Sequence, residues 1–169
     1  FLDPHESPTV YCHPDIWNGR FIREPADGRT LDDPIHIGVP YSRAEVETGA
    51  EIVEHREPVE VSDGVFALGE VPRPHADNPV HLREEDDELI EDSVPDDQSL
   101  AVKTIDGTAL VLGCCHAGLR NTIEYAETVT GQEVRYVIGG THLVARDADE
   151  IHEIADWLEG KHEIGRAHV

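Results

Sequence analysis

The sequence predicts an α/β protein in which β-sheets are covered by helices on their outer side. In the first half of the chain, short apolar runs are separated by Gly, Pro and Asp, a pattern typical of strands and turns. After residue 98, apolar runs of strand length alternate with stretches whose apolar residues recur every three or four positions, as in a helix. The order strand, helix, strand, helix favours stacked layers of sheet and helix.

The length and composition fit one domain. The chain has 169 residues, 38% of them hydrophobic, which is enough for a sizeable core. We assign residues 1–163 to one domain. No apolar run approaches the roughly 20 residues that a membrane span needs, so we expect no membrane partner. The three cysteines do not make the disulfide framework of a secreted protein, so we expect a reducing cytoplasm.

Short strands and one capped helix are predicted in the first half of the chain. The runs "TVYC" and "IHIGVP" each predict a short strand. The capping box "SRAE", with Ser42 as the N-cap and Glu45 three residues later, predicts a helix that ends near Gly49. Further strands are predicted at "AEIVEH", "VEV" and "GVFALGEV". Residues 84–97 hold nine acidic residues in fourteen, and we expect them to form a solvated loop.

The second half of the chain contains the strongest local patterns. A hairpin is predicted from "SLAVKTI" and "TALVLGCC", which flank an Asp-Gly turn. A helix that ends at Gly131, the strand "EVRYVIGG" and a helix with the capping box Asp147 to Glu150 follow. The residues predicted on the inner faces of these two helices are Leu119, Ile123, Ala126 and Val129, and then Ile151, Ile154, Ala155 and Leu158.

Acidic residues dominate the surface. Asp and Glu total 36 against 13 Lys and Arg, which gives a formal net charge of -23. Such a surface repels nucleic acid, so we expect no nucleic-acid partner. Because the acids are spread along the whole chain, we attribute them to adaptation to a salt-rich cytoplasm and expect a halophilic source. A generic acidic protein is the alternative.

The segment "VLGCCHAGLRNT" places Cys114, Cys115 and His116 where an apolar run ends and a helix begins. Adjacent side chains on a strand point to opposite faces, so the two cysteines are poor disulfide partners. Two interpretations of the segment stay open: a metal-binding strand end, or the last turn of a core strand.

Two histidines follow strand ends, where α/β sheets collect ligands and catalytic groups. His116 follows one apolar run, and His142 follows a second run and a glycine pair in "YVIGGTHL". Imidazole binds Zn, Fe and Mn, but from the spacing alone a capped or surface histidine is the commoner outcome. Most of the other histidines of the first half lie in polar or proline-rich surroundings and are expected to face solvent: His5, His13, His36, His55, His75 and His81.

Several motifs together resemble the metallo-β-lactamase-fold hydrolases. Residues 96–143 contain "DDQSL", the strand end "GCCHAG" and the strand end "IGGTHL", and "CHPD" and "GEVPR" lie upstream. These motifs are similar to the branch of the family named 7,8-dihydropterin-6-methyl-4-(β-D-ribofuranosyl)-aminobenzene-5'-phosphate synthase-like. The resemblance implies a metallo-β-lactamase-type αβ/βα sandwich, incomplete here because its N-terminal part is missing.

The resemblance also implies a site with one or two divalent metal ions. His116 and His142 match motif histidines and are the implied metal ligands. Glu70, Arg73 and Asp97 match other motif positions, which implies that they lie near the substrate or behind the ligands. Zinc is the expected metal, with Mn or Fe as alternatives, and it would activate a water or polarise a phosphate or pterin-linked group.

The implied function is that of a metal-dependent hydrolase or synthase-like enzyme acting on a phosphorylated or pterin-like small molecule. The alternatives are a phosphodiesterase or nuclease of the same fold, and a non-catalytic binding module that kept the fold. The family's H-x-H-x-D-H motif and its last histidine motif do not occur in the sequence, so we expect an inactive C-terminal fragment that binds metal weakly. Residues 164–169, "IGRAHV", match the translation of a sequencing-library adapter, and we expect them to lie outside the domain.

Salt is expected to stabilise the fold, because it screens the repulsion among the acidic side chains. The melting temperature, followed by circular dichroism, should rise as KCl is raised from low to molar concentration. A melting temperature that falls steadily over this range would contradict the proposed adaptation to salt.

Overall fold

The computed structural model describes residues 7–22, 33–75, 81–86, 88–143 and 146–161. Within these ranges the chain forms eleven strands, three α-helices and one 3-10 helix. The strands make up three sheets of five, four and two strands. The predicted adapter segment 164–169 lies outside the described residues.

A five-stranded sheet forms the centre of the structure. Its strands are β5 (Val59–Ser62), β6 (Val65–Ala67), β9 (Leu100–Thr104), β10 (Gly107–Leu112) and β11 (Val134–Gly139). They lie in the order β11-β10-β9-β6-β5. β10 is antiparallel to β9, as the predicted hairpin requires, and parallel to β11. The carboxyl ends of β10 and β11 therefore meet at the same edge of the sheet.

The helix α2 (Leu119–Thr130) connects β10 to β11 and covers one face of this sheet. Ile123 on the helix and Leu110 on β10 are both fully buried in the core. The helix ends at Gly131, whose φ of 68° is in the left-handed region that glycine adopts without strain. The predicted inner face of this helix and its end are therefore confirmed.

The opposite face of the five-stranded sheet is apolar as well. Leu100 and Ile138 flank Val111 on this face, and Tyr136 lies beside Ala109. The four large residues of this group are 36% to 53% exposed, whereas Leu110 and Leu112, which face α2, are buried. Strands that are apolar on both faces are typical of a sheet in the interior of a layered α/β structure.

The second sheet contains part of the segment that was expected to be a solvated loop. Its strands are β2 (Arg20–Ile22), β3 (Ile35–His36), β7 (His81–Glu85) and β8 (Glu88–Asp92), in the order β3-β2-β7-β8. The loop prediction for residues 84–97 is therefore wrong as far as Asp92. The physical reason is that Asp92 is buried and paired with Arg20 of β2, so its charge is neutralised within the protein.

Two smaller units complete the first half. β1 (Thr9–Cys12) pairs in parallel with β4 (Glu51–Glu54), and a 3-10 helix (Pro14–Trp17) follows β1. The helix α1 (Arg43–Glu47) begins at Ser42, and both hydrogen bonds of the predicted capping box are present.

The last helix, α3 (Ala148–Gly160), begins at the predicted capping box of Asp147. Ile154 and Leu158 pack against the core as expected. Ile151 and Ala155 are exposed, so the predicted inner face of this helix is only partly confirmed. None of the described helices has the length and apolar character that a membrane crossing requires.

The buried contacts between α2 and the five-stranded sheet are expected to contribute much of the free energy of unfolding. Ile123→Ala should lower the free energy of unfolding in urea by about 2–5 kcal/mol, because it leaves a cavity at a fully buried position. The matched control is Ile105→Ala, since Ile105 is 97% exposed, and this change should stay within about 0.5 kcal/mol. Equal effects of the two substitutions would contradict the packing described for α2.

Candidate metal centre

Three histidines from separate elements come together at the edge where β10 and β11 end. His116 follows β10, His142 follows β11, and His81 is the first residue of β7. The ring centroids are 4.2 Å apart for His116 and His142, 4.7 Å for His81 and His116, and 5.7 Å for His81 and His142. One nitrogen from each ring can be chosen so that all three lie within 4.8 Å of one another. A single metal ion could contact all three rings.

His81 is the member of this group that the sequence did not reveal. It was expected to face solvent, and this is wrong, because it is only 9% exposed. The same expectation is wrong for His13 and His55, which are also buried. The one sign in the sequence was that His81 lies between two apolar residues, Val80 and Leu82.

Burial favours the neutral form of two of the clustered imidazoles, those of His116 and His81. Burial first, and then the nearby His142, His81, Arg73 and Arg20, lower the pKa of His116 to about 3. Burial and His142 also lower the pKa of His81, although Asp92 acts in the opposite direction. Neutral imidazole is the form that binds a metal ion.

Several ring nitrogens of the cluster have no hydrogen-bond partner. Among the described residues, no donor or acceptor reaches either ring nitrogen of His81 or Nε2 of His142, and all three atoms are buried. Buried polar atoms without partners are rare in proteins, and they need an explanation where they occur. A divalent cation would satisfy these nitrogens, so the residues present fit a metal ion.

Glycines allow the two strand ends to approach each other closely. The amide of Gly140 donates a hydrogen bond to the carbonyl of Gly113, with an N···O distance of 3.0 Å. A Cβ on Gly139 would lie 2.2 Å from the carbonyl oxygen of Leu112, and one on Gly140 would lie 2.6 Å from that of Gly113. The φ of Gly139 is also +121°, which L side chains rarely adopt. The glycine pair is therefore needed for the contact between the two loops.

Asp97 fixes the loop that carries His116. Its Oδ1 accepts a hydrogen bond from the amide of Cys114 at 3.1 Å, and its Oδ2 accepts one from the amide of His116 at 2.6 Å. The amide of Cys115 also donates to this carboxylate. Burial raises the pKa of Asp97, and these three amides oppose that effect. Gly113 makes the approach possible, since a Cβ there would lie 2.8 Å from Oδ1.

Arg73 and Glu70 lie in different surroundings. Nη1 of Arg73 donates to the carbonyl oxygen of His116 at 3.1 Å, and its Nη2 donates to the carbonyl oxygen of Ser93. Glu70 instead pairs with His13 and with Arg56, at 3.4 Å and 3.3 Å. Three residues other than the histidines matched motif positions of the family. Arg73 and Asp97 contact the loop that carries His116. Glu70 belongs instead to a neighbouring polar cluster with His13 and Arg56.

The two adjacent cysteines have different surroundings. The side chain of Cys115 is buried in the core, with its Sγ 3.5 Å from the hydroxyl of Thr122. Cys114 is exposed and lines a cavity beside the histidines. Burial, and secondarily Asp97, raise the pKa of the Cys114 thiol, which favours its protonated form. The segment therefore combines a core position with a site position, and the two cysteines are not joined by a disulfide.

The cavity beside the three histidines has a volume of about 490 Å³. Its wall is partly apolar and partly polar. The apolar side chains are Ile16, Ile37, Val39 and Val94, and the polar ones besides the histidines are Arg20, Asp96, Asp97 and Gln98. Arg20 is only 6% exposed, and its guanidinium pairs with Asp92 and Asp96.

The close contact of the two strand ends gives a stability prediction. Gly139→Ala should lower the free energy of unfolding by about 1–3 kcal/mol or more, because the new Cβ meets a carbonyl oxygen and the backbone angle is unfavourable. Gly49→Ala is the matched control, since no atom lies within 4 Å of the added Cβ, and it should not destabilise the protein. Chemical denaturation of both variants checks this, and a fully stable Gly139→Ala protein would refute the close approach.

Comparisons of the sequence with known proteins identify two relatives from one archaeon. No protein-family model matches the chain. The curated 7,8-dihydropterin-6-methyl-4-(β-D-ribofuranosyl)-aminobenzene-5'-phosphate synthase of Methanocaldococcus jannaschii is 28% identical over 155 residues, which cover 84% of this chain and 49% of the relative. An uncharacterized protein of the same organism is 30% identical over 115 residues, which cover 66% of this chain and 41% of the relative.

The fold is shared with a solved structure. The crystal structure of a metal-dependent hydrolase of the β-lactamase superfamily has a TM-score of 0.77 and 22% identity, and the match covers 94% of this chain and 59% of that one. In the sequence comparisons, the chain spans about half the length of the curated relatives it matches. The resemblance predicted from the sequence motifs is confirmed: the chain has the metallo-β-lactamase fold and is similar in sequence to the curated 7,8-dihydropterin-6-methyl-4-(β-D-ribofuranosyl)-aminobenzene-5'-phosphate synthase.

Proposed function

We propose that His81, His116 and His142 together hold a divalent metal ion, with zinc as the best match. The supporting observation is that three imidazoles from three elements converge with buried, unpartnered nitrogens. Zinc accepts nitrogen ligands in tetrahedral sites, and its catalytic sites use three protein ligands with one position left open. Mn and Fe are the alternatives, since imidazole also binds them.

Two side chains fix the backbone of His116 at the proposed metal centre. Asp97 binds the amide of His116, and Arg73 binds its carbonyl oxygen, so the orientation of the loop is fixed at two points. A divalent ion at the three histidines would supply Lewis-acid polarisation of a substrate oxygen. The apolar part of the cavity wall would exclude water from that position, which strengthens electrostatic effects.

The proposed activity of the whole protein is that of a metal-dependent enzyme, a hydrolase or synthase, acting on a phosphorylated or pterin-like small molecule. The name of the Methanocaldococcus jannaschii relative and that of the structural neighbour support this class. A phosphodiesterase or nuclease of the same fold is the second candidate, but the net charge of -23 disfavours a nucleic-acid substrate. The third candidate, a binding module without catalysis, would keep the same fold. A cytoplasmic, salt-adapted archaeal setting is part of the proposal.

Zinc binding tests the centre directly. We expect the chain to bind one zinc ion weakly, measured by titration calorimetry, with Co²⁺ giving the absorption of a tetrahedral site. His81→Ala, His116→Ala and His142→Ala should each lower the zinc affinity by more than about tenfold, since even residues outside the ligand shell contribute 10–100-fold. The control His152→Ala, at an exposed position on α3, should leave the affinity unchanged.

Melting curves of the four variants without metal show whether each one folds. The proposal is contradicted if all three histidine variants of the cluster fold and bind zinc with the affinity of the unchanged chain.

A further inference from the structure

We propose that Gln98 is a positioning residue of the metal centre, and that the ring of His55 fixes its orientation. Through Gln98, the segment between β8 and β9 keeps the carboxylate of Asp97 on the amides of the loop that carries His116. The inference rests on the proposed function, because it assigns a role to side chains outside the three histidine ligands. Two observations support it: a series of hydrogen bonds with defined donors and acceptors, and the close packing of this segment against the end of β10.

The hydrogen bonds of His55 determine which ring nitrogen carries the proton. Its Nδ1 lies 2.8 Å from the carbonyl oxygen of Glu57, and because a carbonyl oxygen can only accept, Nδ1 donates. In the neutral ring Nε2 is then an acceptor. It lies 3.1 Å from Nε2 of Gln98, which donates to it. The amide of His55 also donates to the carbonyl oxygen of Cys12, so this buried residue is held within the fold.

The other end of the Gln98 amide is equally defined. With its nitrogen turned toward His55, its oxygen accepts a hydrogen bond from the amide of Gly69 at 2.9 Å. Gly69 is buried at the turn after β6, so its amide would lose this partner in the low-dielectric interior if the Gln98 side chain were removed. A Cβ on Gly69 would lie 2.2 Å from the carbonyl oxygen of Arg56, so the turn packs tightly against the residues before β5. Gln98 is thus held between two buried groups.

The backbone of Gln98 lies against the end of β10. A Cβ on Gly113 would lie 2.8 Å from the carbonyl oxygen of Gln98 and 2.8 Å from Oδ1 of Asp97. Asp97 and Gln98 are adjacent, so a shift of one moves the other. The amide of His116 donates to Oδ2 of Asp97 at 2.6 Å. N–H···O hydrogen bonds seldom exceed about 3.2 Å, so a displacement of the segment by about 1 Å would release the loop of His116.

Asp96 holds the same segment from its other side, through Arg20 of β2. Removing one partner of this ion pair would leave a buried charge uncompensated and is expected to destabilise the whole fold. Gln98 is uncharged, so its side chain can be changed without that penalty. Gln98 is therefore the position at which the effect of this segment on the His116 loop can be separated from the stability of the fold.

The first experiment measures hydrogen exchange by NMR, without metal, at the amides of Cys114 and His116, which donate to Asp97. The amide of Ile123 in α2 is the reference for opening of the whole fold. Gln98→Met keeps the length of the side chain but removes both of its hydrogen bonds, so the two loop amides should exchange about tenfold faster or more, relative to Ile123. The matched control is Gln132→Met, which should leave the loop amides unchanged, since no partner reaches the Gln132 side-chain oxygen among the described residues.

Two substitutions of His55 test whether it acts through Gln98. His55→Gln places an amide where Nε2 of the ring lies, so the bond with Gln98 can form and exchange should stay near that of the unchanged chain. His55→Asn places its amide where Nδ1 lies and cannot reach Gln98, so it should speed exchange at the loop amides. Because both residues act through the same side chain, combining His55→Asn with Gln98→Met should add little to the effect of Gln98→Met alone.

Zinc affinity connects the loop to the metal centre. Gln98→Met should weaken zinc binding by about tenfold, as expected for a residue that supports metal ligands from behind. The absorption of bound Co²⁺ should change as well, because the ring of His116 loses its fixed orientation. His55→Gln should restore neither loss in the Gln98→Met background, and alone it should bind zinc as the unchanged chain does. If melting curves show that Gln98→Met does not fold, His55→Asn takes its place, since it removes one of the two hydrogen bonds only.

The positioning role is overturned if Gln98→Met leaves either the loop amides or the zinc affinity unchanged. It is also overturned if Ile123 exchanges faster by the same factor as the loop, or if His55→Gln behaves as His55→Asn does. The variant His116→Ala tests the metal centre separately. Zinc binding that depends on His116 but not on Gln98 refutes the positioning role alone. Zinc binding that is independent of His116, while Gln98→Met still releases the loop amides, refutes the metal centre and leaves the hold of Gln98 on the loop in place.

Discussion

The contact between the ends of two parallel strands determines the geometry of the whole site. The loops after β10 and β11 touch through backbone atoms, because Gly139 and Gly140 lie against the carbonyl oxygens of Leu112 and Gly113. Any side chain at Gly139 or Gly140 would push these loops apart. The 4.2 Å separation of the His116 and His142 rings depends on this contact, since each histidine follows one of the two loops. The glycines therefore act on the site without contacting a ligand.

A second constraint comes from three consecutive side chains between β8 and β9. Asp96 pairs with Arg20 of β2, and Asp97 binds the amides of the His116 loop. Gln98 accepts a hydrogen bond from the amide of Gly69 at 2.9 Å and lies 3.1 Å from the ring of His55. This short segment connects the four-stranded sheet, the loop of His116, the turn after β6 and the residues before β5. Breaking a buried ion pair by removing one partner leaves an uncompensated charge, so the connection through Arg20 is hard to alter.

Features that depend on neighbouring residues were predictable from the sequence, and features that depend on distant partners were not. The two capping boxes, the β9–β10 hairpin and the inner face of α2 follow from local periodicity and turn chemistry. The two strand-end histidines follow from the strand pattern and the motif resemblance. His81 and the hairpin that contains it were missed, because the acidic segment resembles a solvated loop. Its folding depends on Arg20, which is 72 residues away from Asp92 and neutralises that carboxylate inside the protein. A local pattern contains no information about such a pairing.

The energetics of the three histidines also bear on function. Each buried polar atom without a partner destabilises a fold by about 1–3 kcal/mol, and within the part of the chain that the structure describes the cluster contains three such ring nitrogens. A fold selected for stability alone would place apolar side chains at these positions, as it does at Leu110 and Ile123 nearby. A ligand that binds the ring nitrogens removes this cost in the folded state only, so its binding and the stability of the fold are linked. Residues that lower the stability of the fold in this way concentrate at functional sites. The unmatched nitrogens therefore support the metal centre independently of any sequence motif.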